Sequence, residues 1–192
     1  AAEDIDENGK HYPAPDYVPP LTHEEVLARI QYQPPLCHSS VMARRDVLLA
    51  AGGYHKAFRH CEDYDLWLRL ANRTRIGNIA EHLISYRRYA EQVSSKFSLE
   101  QSIGAAVAVI AYRERAAGRP DPTENLDRLP PISELDALFG RSGPASEVRS
   151  KVARGVLYSR SAMGGDGFQI VLDHLRAGGA REGMWRAVAR LL

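Results

Sequence analysis

The sequence predicts an α/β region of short strands and helices over residues 1–97, followed by an all-helical region over residues 98–192. Two observations favour this division. In the first region, apolar residues change between helical and alternating spacing, and turn residues separate these stretches at short intervals. After an alanine-rich stretch that begins near Ser98, the apolar spacing is helical throughout. We therefore place the domain boundary in the composition change between Ser95 and Gly118.

The first region begins with a hairpin signal and continues with alternating helices and strands. Asn8-Gly9 is typical of a tight turn between strands. Thr22 and Glu25 form a capping box that begins a helix extending to about Gln31, and two prolines end it. The further predicted elements are a strand over 38–43, a helix over 45–51 that two glycines end, an acid-capped helix over 62–72, and strands over 75–79 and 82–89.

The second region is predicted to contain helices only. The first is long and alanine-rich, over 98–117, and the Gly-Arg-Pro-Asp-Pro segment at 118–122 breaks it. A loop then extends to Pro131. The later helices are predicted over 132–139, 146–163, 168–176 and 181–192.

Composition excludes several classes of protein. The net charge of +1 gives no general signal for nucleic acid binding. No run of eighteen apolar residues is present, and the first residues lack the pattern of a signal peptide. Cys37 and Cys61 lack metal-ligand spacing and favour reduced packing thiols. We expect a cytoplasmic protein, with peripheral contact to the inner face of the plasma membrane as an alternative.

Three carboxylates lie within four positions, at Glu62, Asp63 and Asp65, directly before apolar residues at helical spacing. They occupy the first turn of the predicted helix, where the helix dipole stabilises negative charge. An ionised carboxylate at the end of a rigid element meets the requirement for a general base. Acidic residues are also common caps at helix starts, so these residues alone leave a structural role open.

Several motifs surround these acids in a specific order. They are His38-Ser39-Ser40, Gly52-Gly53-Tyr54, the run from Glu62 to Leu70, and Ile84 to Tyr89 followed by Gln92-Val93-Ser94. From about Thr22 to Ser95 this order resembles the C-terminal half of the catalytic domain of bacterial family 2 glycosyltransferases. Weaker likeness is found at 4–9 and 118–122.

This resemblance implies a partial GT-A-like fold, that of nucleotide-diphospho-sugar transferases, with a mixed sheet. It also implies inverting transfer of a sugar from a nucleotide-diphosphate donor to a saccharide or lipid-linked acceptor, in cell-surface polysaccharide synthesis. The second residue of the Glu-Asp pair is the catalytic base in this family, which is Asp63 here. Glu62 is expected to orient or bind the acceptor. Asp65 is a candidate for substrate binding, and its alternative is an i,i+4 helix pair with Arg69.

Five further residues are candidates for substrate binding. By the resemblance, His38 faces the donor–acceptor cleft, and a buried structural histidine is the alternative. Gly52 and Gly53 either allow a sugar to approach the backbone or only cap a helix. Either Arg87 or Arg88 could meet a diphosphate, although strand alternation would direct only one of them inward.

The metal-binding part of such an enzyme is not expected here. Asp4-Ile5-Asp6 has the letters of the family's metal-binding Asp-x-Asp motif, but we interpret it as the approach to the hairpin. Family members often have a histidine near the position of Tyr89 that ligates metal, and tyrosine is a poor ligand. We expect Mn²⁺ or Mg²⁺ only in a complete enzyme with a separate nucleotide-binding half. These 192 residues alone are expected to bind no metal and to transfer no sugar.

Two alternatives concern partners. The predicted helix over 181–192 is basic and amphipathic, so it can lie on an anionic membrane surface or pack on neighbouring helices. A non-catalytic interaction or regulatory module with a helical partner-binding tail is the competing class of function. A homodimer could cover an exposed sheet edge in either case.

Overall fold

The computed structural model describes residues 1–12, 18–89, 97–157, 162–181 and 184. The predicted basic helix over 181–192 and the motif at 92–94 lie largely or wholly outside the described residues. Their predicted roles therefore stay predictions.

The chain divides into two compact units. The first comprises Ala1–Tyr54 and Asp63–Gln92, and the second comprises His55–Glu62 and Val93–Leu192. A short segment from the middle of the first region thus belongs with the helical part. The boundary expected from sequence, between 97 and 98, stays a prediction.

Helices dominate a mixed α/β structure, which confirms the predicted class at this level. The part of the chain that the structure describes contains seven α-helices and two strands. The elements are β1 (Ala2–Ile5), α1 (His23–Arg29), α2 (Arg45–Ala50), α3 (Glu62–Leu70), β2 (Ile84–Arg87), α4 (Ser98–Ala116), α5 (Leu135–Leu138), α6 (Pro144–Val156) and α7 (Phe168–Arg176). Short 3₁₀ turns lie at His38–Ser40 and Ile132–Glu134, and a π-helix lies at Met163–Gly167.

The sheet of the first unit has two strands that pair in parallel. Ala2 lies opposite Ile84, and Ile5 lies opposite Arg87. Ile5 also forms an antiparallel bridge with His11. The strand predicted over 82–89 is confirmed, with shorter bounds.

The turn that follows β1 confirms the hairpin prediction. Gly9 has a φ of +86° and donates its N–H to the Asp6 carbonyl at 3.1 Å. A glycine with positive φ at the end of a three-residue loop is typical of a hairpin with a G1 bulge. The Asp6 carboxylate accepts the N–H groups of Asn8 and Lys10 at 2.9 and 2.8 Å. Asp6 therefore stabilises the turn, as the interpretation of Asp4-Ile5-Asp6 required.

Two predicted strands are wrong. Residues 38–43 form a 3₁₀ turn followed by irregular chain, and residues 75–79 join no ladder among the described residues. Side-chain bonds replace the ladder in the second case. The Asn78 amide donates to the carbonyls of Pro20 and Pro35 at 2.7 and 3.0 Å. Extended chain becomes a strand only where a partner strand lies beside it.

Helix α1 begins with the predicted capping box. The Glu25 N–H donates to Thr22 Oγ1 at 3.2 Å, and the Glu25 carboxylate accepts the N–H groups of Thr22 and Leu21 at 3.2 and 2.7 Å. These backbone bonds lower the pKa of Glu25, because they stabilise its ionised form. The helix ends at Arg29, slightly before the predicted end.

Helix α3 forms the centre of the first unit. Its apolar residues, among them Leu66, Trp67 and Leu68, are almost fully buried. Val26 of α1 and Ile30, directly after α1, are fully buried as well. The Tyr64 hydroxyl donates to the Ile30 carbonyl. Burial of such side chains contributes about 1.5–3 kcal/mol each. The position of α3 is therefore strongly determined.

The second unit is a helical assembly in which α4 packs against α6 and α6 packs against α7. Its core contains Val107, Ile110, Val148, Val152 and Leu157, all nearly inaccessible. The predicted helices at 98–117, 132–139 and 168–176 are confirmed, the second as a 3₁₀ turn followed by α5. The helix predicted over 146–163 is confirmed only as far as Val156.

The segment 55–62 joins the second unit through contacts with the start of α4. The His60 ring stacks on Phe97, with ring centroids 3.9 Å apart and an angle of 11° between planes. Gln101 donates its side-chain amide to the His60 carbonyl at 2.8 Å. A Cβ on Gly104 would overlap the Cys61 Sγ, so glycine is what allows this close approach. No described helix is both long enough and apolar enough to cross a membrane.

Candidate functional site

Asp63, the predicted base, is the second residue of α3. Its Oδ1 accepts the backbone N–H of Tyr64 at 2.7 Å. The side chain is 25% exposed. It therefore combines a fixed position with access for a substrate hydroxyl, which are the two geometric requirements for a general base.

His38 is the nearest predicted site residue to Asp63. Its Nδ1 lies 3.6 Å from Asp63 Oδ2, and its Nε2 lies 2.9 Å from the Tyr54 hydroxyl. The edge of its ring meets the Trp67 indole, with centroids 6.2 Å apart and planes at 78°. The imidazole is half exposed. The alternative of a buried structural histidine is therefore not what the structure shows.

Asp63, His38 and Tyr54 form a connected row of polar groups, which we call the Asp63 cluster. A carboxylate beside an imidazole that also contacts a phenol can accept a proton and hold a substrate hydroxyl in position. Tyr54 was not among the residues predicted for the site. The signal was present, because Tyr54 follows the Gly52-Gly53 pair within one of the motifs.

The glycines at 52 and 53 end α2 and lead the chain to Tyr54. Both have positive φ, +82° and +66°, which favours glycine over other residues. The Arg69 guanidinium donates to the carbonyl of Ala51 and, at 2.6 Å, to that of Gly53. The helix-capping alternative is therefore observed for this pair, and no described contact tests the sugar-binding one.

Asp65 is fully buried and pairs with Arg69, whose Nε and Nη2 lie 2.9 and 2.8 Å from Asp65 Oδ2. This is the helix pair that the i,i+4 spacing indicated. Arg69 in turn holds the turn before Tyr54, so Asp65 supports the Asp63 cluster from inside the unit. Its burial leaves no path for direct contact with a substrate.

Arg87 and Arg88 contact the hairpin rather than the Asp63 cluster. Arg87 donates to the carbonyls of Asp6 and Glu7 at 3.0 and 2.8 Å. Arg88 pairs with Asp4 at 2.9 Å and lies over the Tyr86 ring, 4.6 Å from its centroid. The bond to Asp4 raises the pKa of Arg88. Both guanidinium groups are exposed, and their proposed contact with a diphosphate stays a prediction.

Glu62 and Tyr89 complete the predicted residues. Glu62 is the first residue of α3 and is half-buried, while Tyr89 is exposed. Among the described residues there is no group of three or more His, Cys, Asp and Glu side chains that could hold a metal ion.

Comparison of the chain with protein-family models, with curated proteins and with solved structures finds no match.

Proposed function

We propose that the first unit is the acceptor-side part of an inverting glycosyltransferase, with Asp63 as the general base. The observation that carries the proposal is the partly exposed Asp63 carboxylate at the start of α3, 3.6 Å from His38. The order of motifs around it supports the same assignment. The donor is a nucleotide-diphosphate sugar, and the acceptor is a saccharide or a lipid-linked saccharide.

The reaction assigns one chemical step to these residues. Asp63 Oδ2 takes the proton of an acceptor hydroxyl while that oxygen attacks the anomeric carbon of the donor. The bond from the anomeric carbon to the diphosphate oxygen breaks, and the nucleoside diphosphate leaves with the electron pair. Attack from the face opposite the leaving group inverts the configuration at this carbon.

His38 and Tyr54 have supporting roles in this proposal. The imidazole lies beside the Asp63 carboxylate, which the Tyr64 N–H holds, and the contact with the Tyr54 hydroxyl positions the imidazole. Such positioned polar groups contribute to catalysis because their orientation is set before the reaction begins. Glu62 adjoins the base and is proposed to bind the acceptor.

A metal ion or cationic side chains must neutralise the leaving diphosphate, and Arg87 and Arg88 are the candidate cations among the described residues. The described residues offer no metal-ligand cluster, so no step of the proposal passes through a metal held by them. A nucleotide-binding half that holds Mn²⁺ or Mg²⁺ is part of the proposal for the complete enzyme. Such an ion supplies charge neutralisation at the diphosphate.

The test is turnover of the complete enzyme with and without the base. Nucleoside diphosphate release is measured from UDP-glucose, UDP-galactose, UDP-N-acetylglucosamine, GDP-mannose and dTDP-rhamnose, with Mn²⁺ and membranes from the source organism as acceptor. We expect Asp63→Asn to lower turnover by about 10²–10⁴-fold, with nucleotide affinity nearly unchanged. Asp46→Asn, at an exposed position in the first turn of α2, is the matched control.

Two results would refute the assignment. Asp63→Asn with the turnover of the unaltered enzyme would remove Asp63 from the base role. Absence of release from every donor by the unaltered enzyme would favour the non-catalytic module instead.

A further inference from the structure

The second unit contains a cleft that is separate in sequence from the Asp63 cluster. Its volume is about 530 Å³, within the range of small-molecule sites. Half of its twelve lining residues are apolar, among them Phe97 and Ile132. The polar half consists of Ser98, Glu100, Ser133, Arg149, Asp166 and Asp173. An occupant must therefore offer both an apolar face and several hydrogen-bonding groups.

One wall of the cleft is a π-helix, Met163–Gly167, which contributes Asp166. Turns of this kind are rare and are frequently found at functional sites. Gly167 allows the π-helix to pack against α6, since a Cβ there would lie 2.6 Å from Val156 Cγ1. The wall is therefore a closely packed part of the unit.

His60, which contacts the lining residues Phe97 and Glu100 from behind the cleft surface, has an unusual backbone conformation. His60 has a φ of +66°, which is uncommon for a residue other than glycine. Its ring covers Phe97, and its Nε2 lies 3.5 Å from Glu100 Oε2. Residues in such conformations persist where their surroundings hold them, and they cluster at ligand sites. His60 thus fixes two residues of the cleft surface.

The charged groups of the cleft divide into satisfied and available ones. Glu100 meets His60, and Asp173 accepts a hydrogen bond from Gln169 at 2.8 Å. Arg149, half-buried on α6, makes no hydrogen bond or ion pair within the described residues, and the same holds for Asp166. Arg149 is therefore a strong donor, and Asp166 a strong acceptor, whose hydrogen-bonding capacity is wholly available to a ligand.

This combination selects a class of ligand. A nucleotide needs several cations for its phosphates, whereas the cleft has three carboxylates and one guanidinium. An acyl chain needs an apolar lining throughout. A pyranose has apolar C–H faces and hydroxyls that both donate and accept, which suits the apolar half of the lining together with Arg149 and Asp166. We propose that this cleft binds a neutral saccharide.

The identity of that saccharide as the acceptor class of the transferase rests on the proposed function. Saccharide binding itself rests on the cleft alone. On that basis the cleft binds the same class of saccharide that the transferase takes as its acceptor.

Binding is tested on the full chain with three neutral tetrasaccharides: cellotetraose, maltotetraose and tetra-N-acetylchitotetraose. Titration calorimetry and saturation-transfer NMR measure their affinity, with inorganic phosphate and putrescine as anionic and cationic competitors. We expect at least one tetrasaccharide to bind. Arg149→Ala and Asp166→Asn should each weaken binding by about tenfold, because the first removes a charged donor and the second replaces a charged acceptor by a weaker neutral one.

The matched control is Arg154→Ala, on the same helix but exposed and bonded only to Ser150. It should bind the tetrasaccharide normally. Asp166 is exposed, so Asp166→Asn should leave the fold intact even if Arg149→Ala lowers stability. Circular dichroism checks that both variants are folded.

The outcomes separate this proposal from the proposed function. Binding that survives Asp63→Asn and is lost in Arg149→Ala supports the cleft, whatever the turnover. Binding of no tetrasaccharide, or binding equal in Arg149→Ala, Asp166→Asn and Arg154→Ala, overturns it. Displacement of bound tetrasaccharide by putrescine or phosphate at equal concentration also overturns it, because the cleft would then recognise charge.

Discussion

The two units stabilise their backbones by different means. In the first, side chains reach main-chain carbonyls: Arg69 bonds Ala51 and Gly53, and Asn78 bonds two proline carbonyls. In the second, helices pack through apolar faces, as α4 does on α6. A parallel pair of strands offers little burial by itself. Both units have a buried apolar core. The first unit adds directional bonds from buried side chains to its turns, whereas the second is held mainly by helix packing.

The difference extends to the two candidate sites. The Asp63 cluster is assembled from a 3₁₀ turn, a glycine turn and a helix start, and the buried Asp65–Arg69 pair positions one of them. The cleft of the second unit is bounded largely by helices. Functional residues on loops need an underlying scaffold, and in the first unit this scaffold is ionic. Removing one buried charge should therefore destabilise the first unit more than adding one methyl group to a closely packed helix destabilises the second.

The largest effect is expected from Arg69→Ala. It leaves the buried Asp65 carboxylate without its guanidinium, which costs about 3–5 kcal/mol of unfolding free energy. Trp67 reports on the first unit when Trp185 is replaced by phenylalanine, since the chain has two tryptophans. In Arg69→Ala, the Trp67 signal should be lost at a lower urea concentration than the helical signal at 222 nm.

Arg73→Ala is the control for that change. Arg73 is exposed and donates to the Ala50 carbonyl at 2.9 Å, a bond that contributes about 0.5–1.5 kcal/mol. Adding Asp65→Ala to Arg69→Ala should restore part of the stability, because no buried charge is then left over. Equal costs for Arg69→Ala and Arg73→Ala would show that the ionic scaffold does not hold the first unit.

A smaller effect is expected from Gly104→Ala in the second unit. The added methyl overlaps the Cys61 Sγ, and overpacking of this kind costs about 1–3 kcal/mol. Cys61→Ala should relieve it, since the next atoms lie 3.9 Å from the new methyl. Thermal unfolding at 222 nm measures both.

Gly155→Ala is the matched control on α6, where no atom lies within 4 Å of the added methyl. It should stabilise the helix by about 0.5–1 kcal/mol. If Gly104→Ala were also stabilising, close packing at Cys61 would not be a constraint on the second unit.

The last prediction concerns the pH dependence of stability that Glu114, a buried ionic residue of the second unit, produces, and it has the smallest expected effect at neutral pH. Hydrogen bonds from Arg119 and Arg141 lower its pKa to about 2 from the ordinary 4.5. Because the folded-state pKa is the lower one, the stabilisation is complete above about pH 4.5 and is lost as the pH falls towards 2. Urea midpoints should therefore be flat near pH 7 and fall in this acid range.

Glu114→Gln should remove that part of the acid dependence, whereas Glu124→Gln, at an exposed position, should leave it intact. An identical acid profile in Glu114→Gln would assign the acid transition to other carboxyl groups. The bonds from Arg119 and Arg141 to Glu114 would then make no measurable contribution to the stability of the second unit.

Local sequence signals predicted most of the helices. Thr22 with Glu25 marked the start of α1, the glycines after Ala51 marked the end of α2, and Asn8-Gly9 marked the hairpin. Each acts within a few residues, so no distant contact is needed. The strands predicted at 38–43 and 75–79 failed for the opposite reason, because a ladder needs a partner that local sequence does not specify.

The candidate site divides in the same way. The sequence by itself determined that Asp63 stands at the start of a helix and that Asp65 and Arg69 share one face of it, since both follow from helical spacing. Only the tertiary structure decided that Tyr54 meets His38, that His38 meets Asp63, and that His60 covers Phe97. These contacts join residues far apart in the chain, and burial of α3 and α4 against the rest of their units sets them.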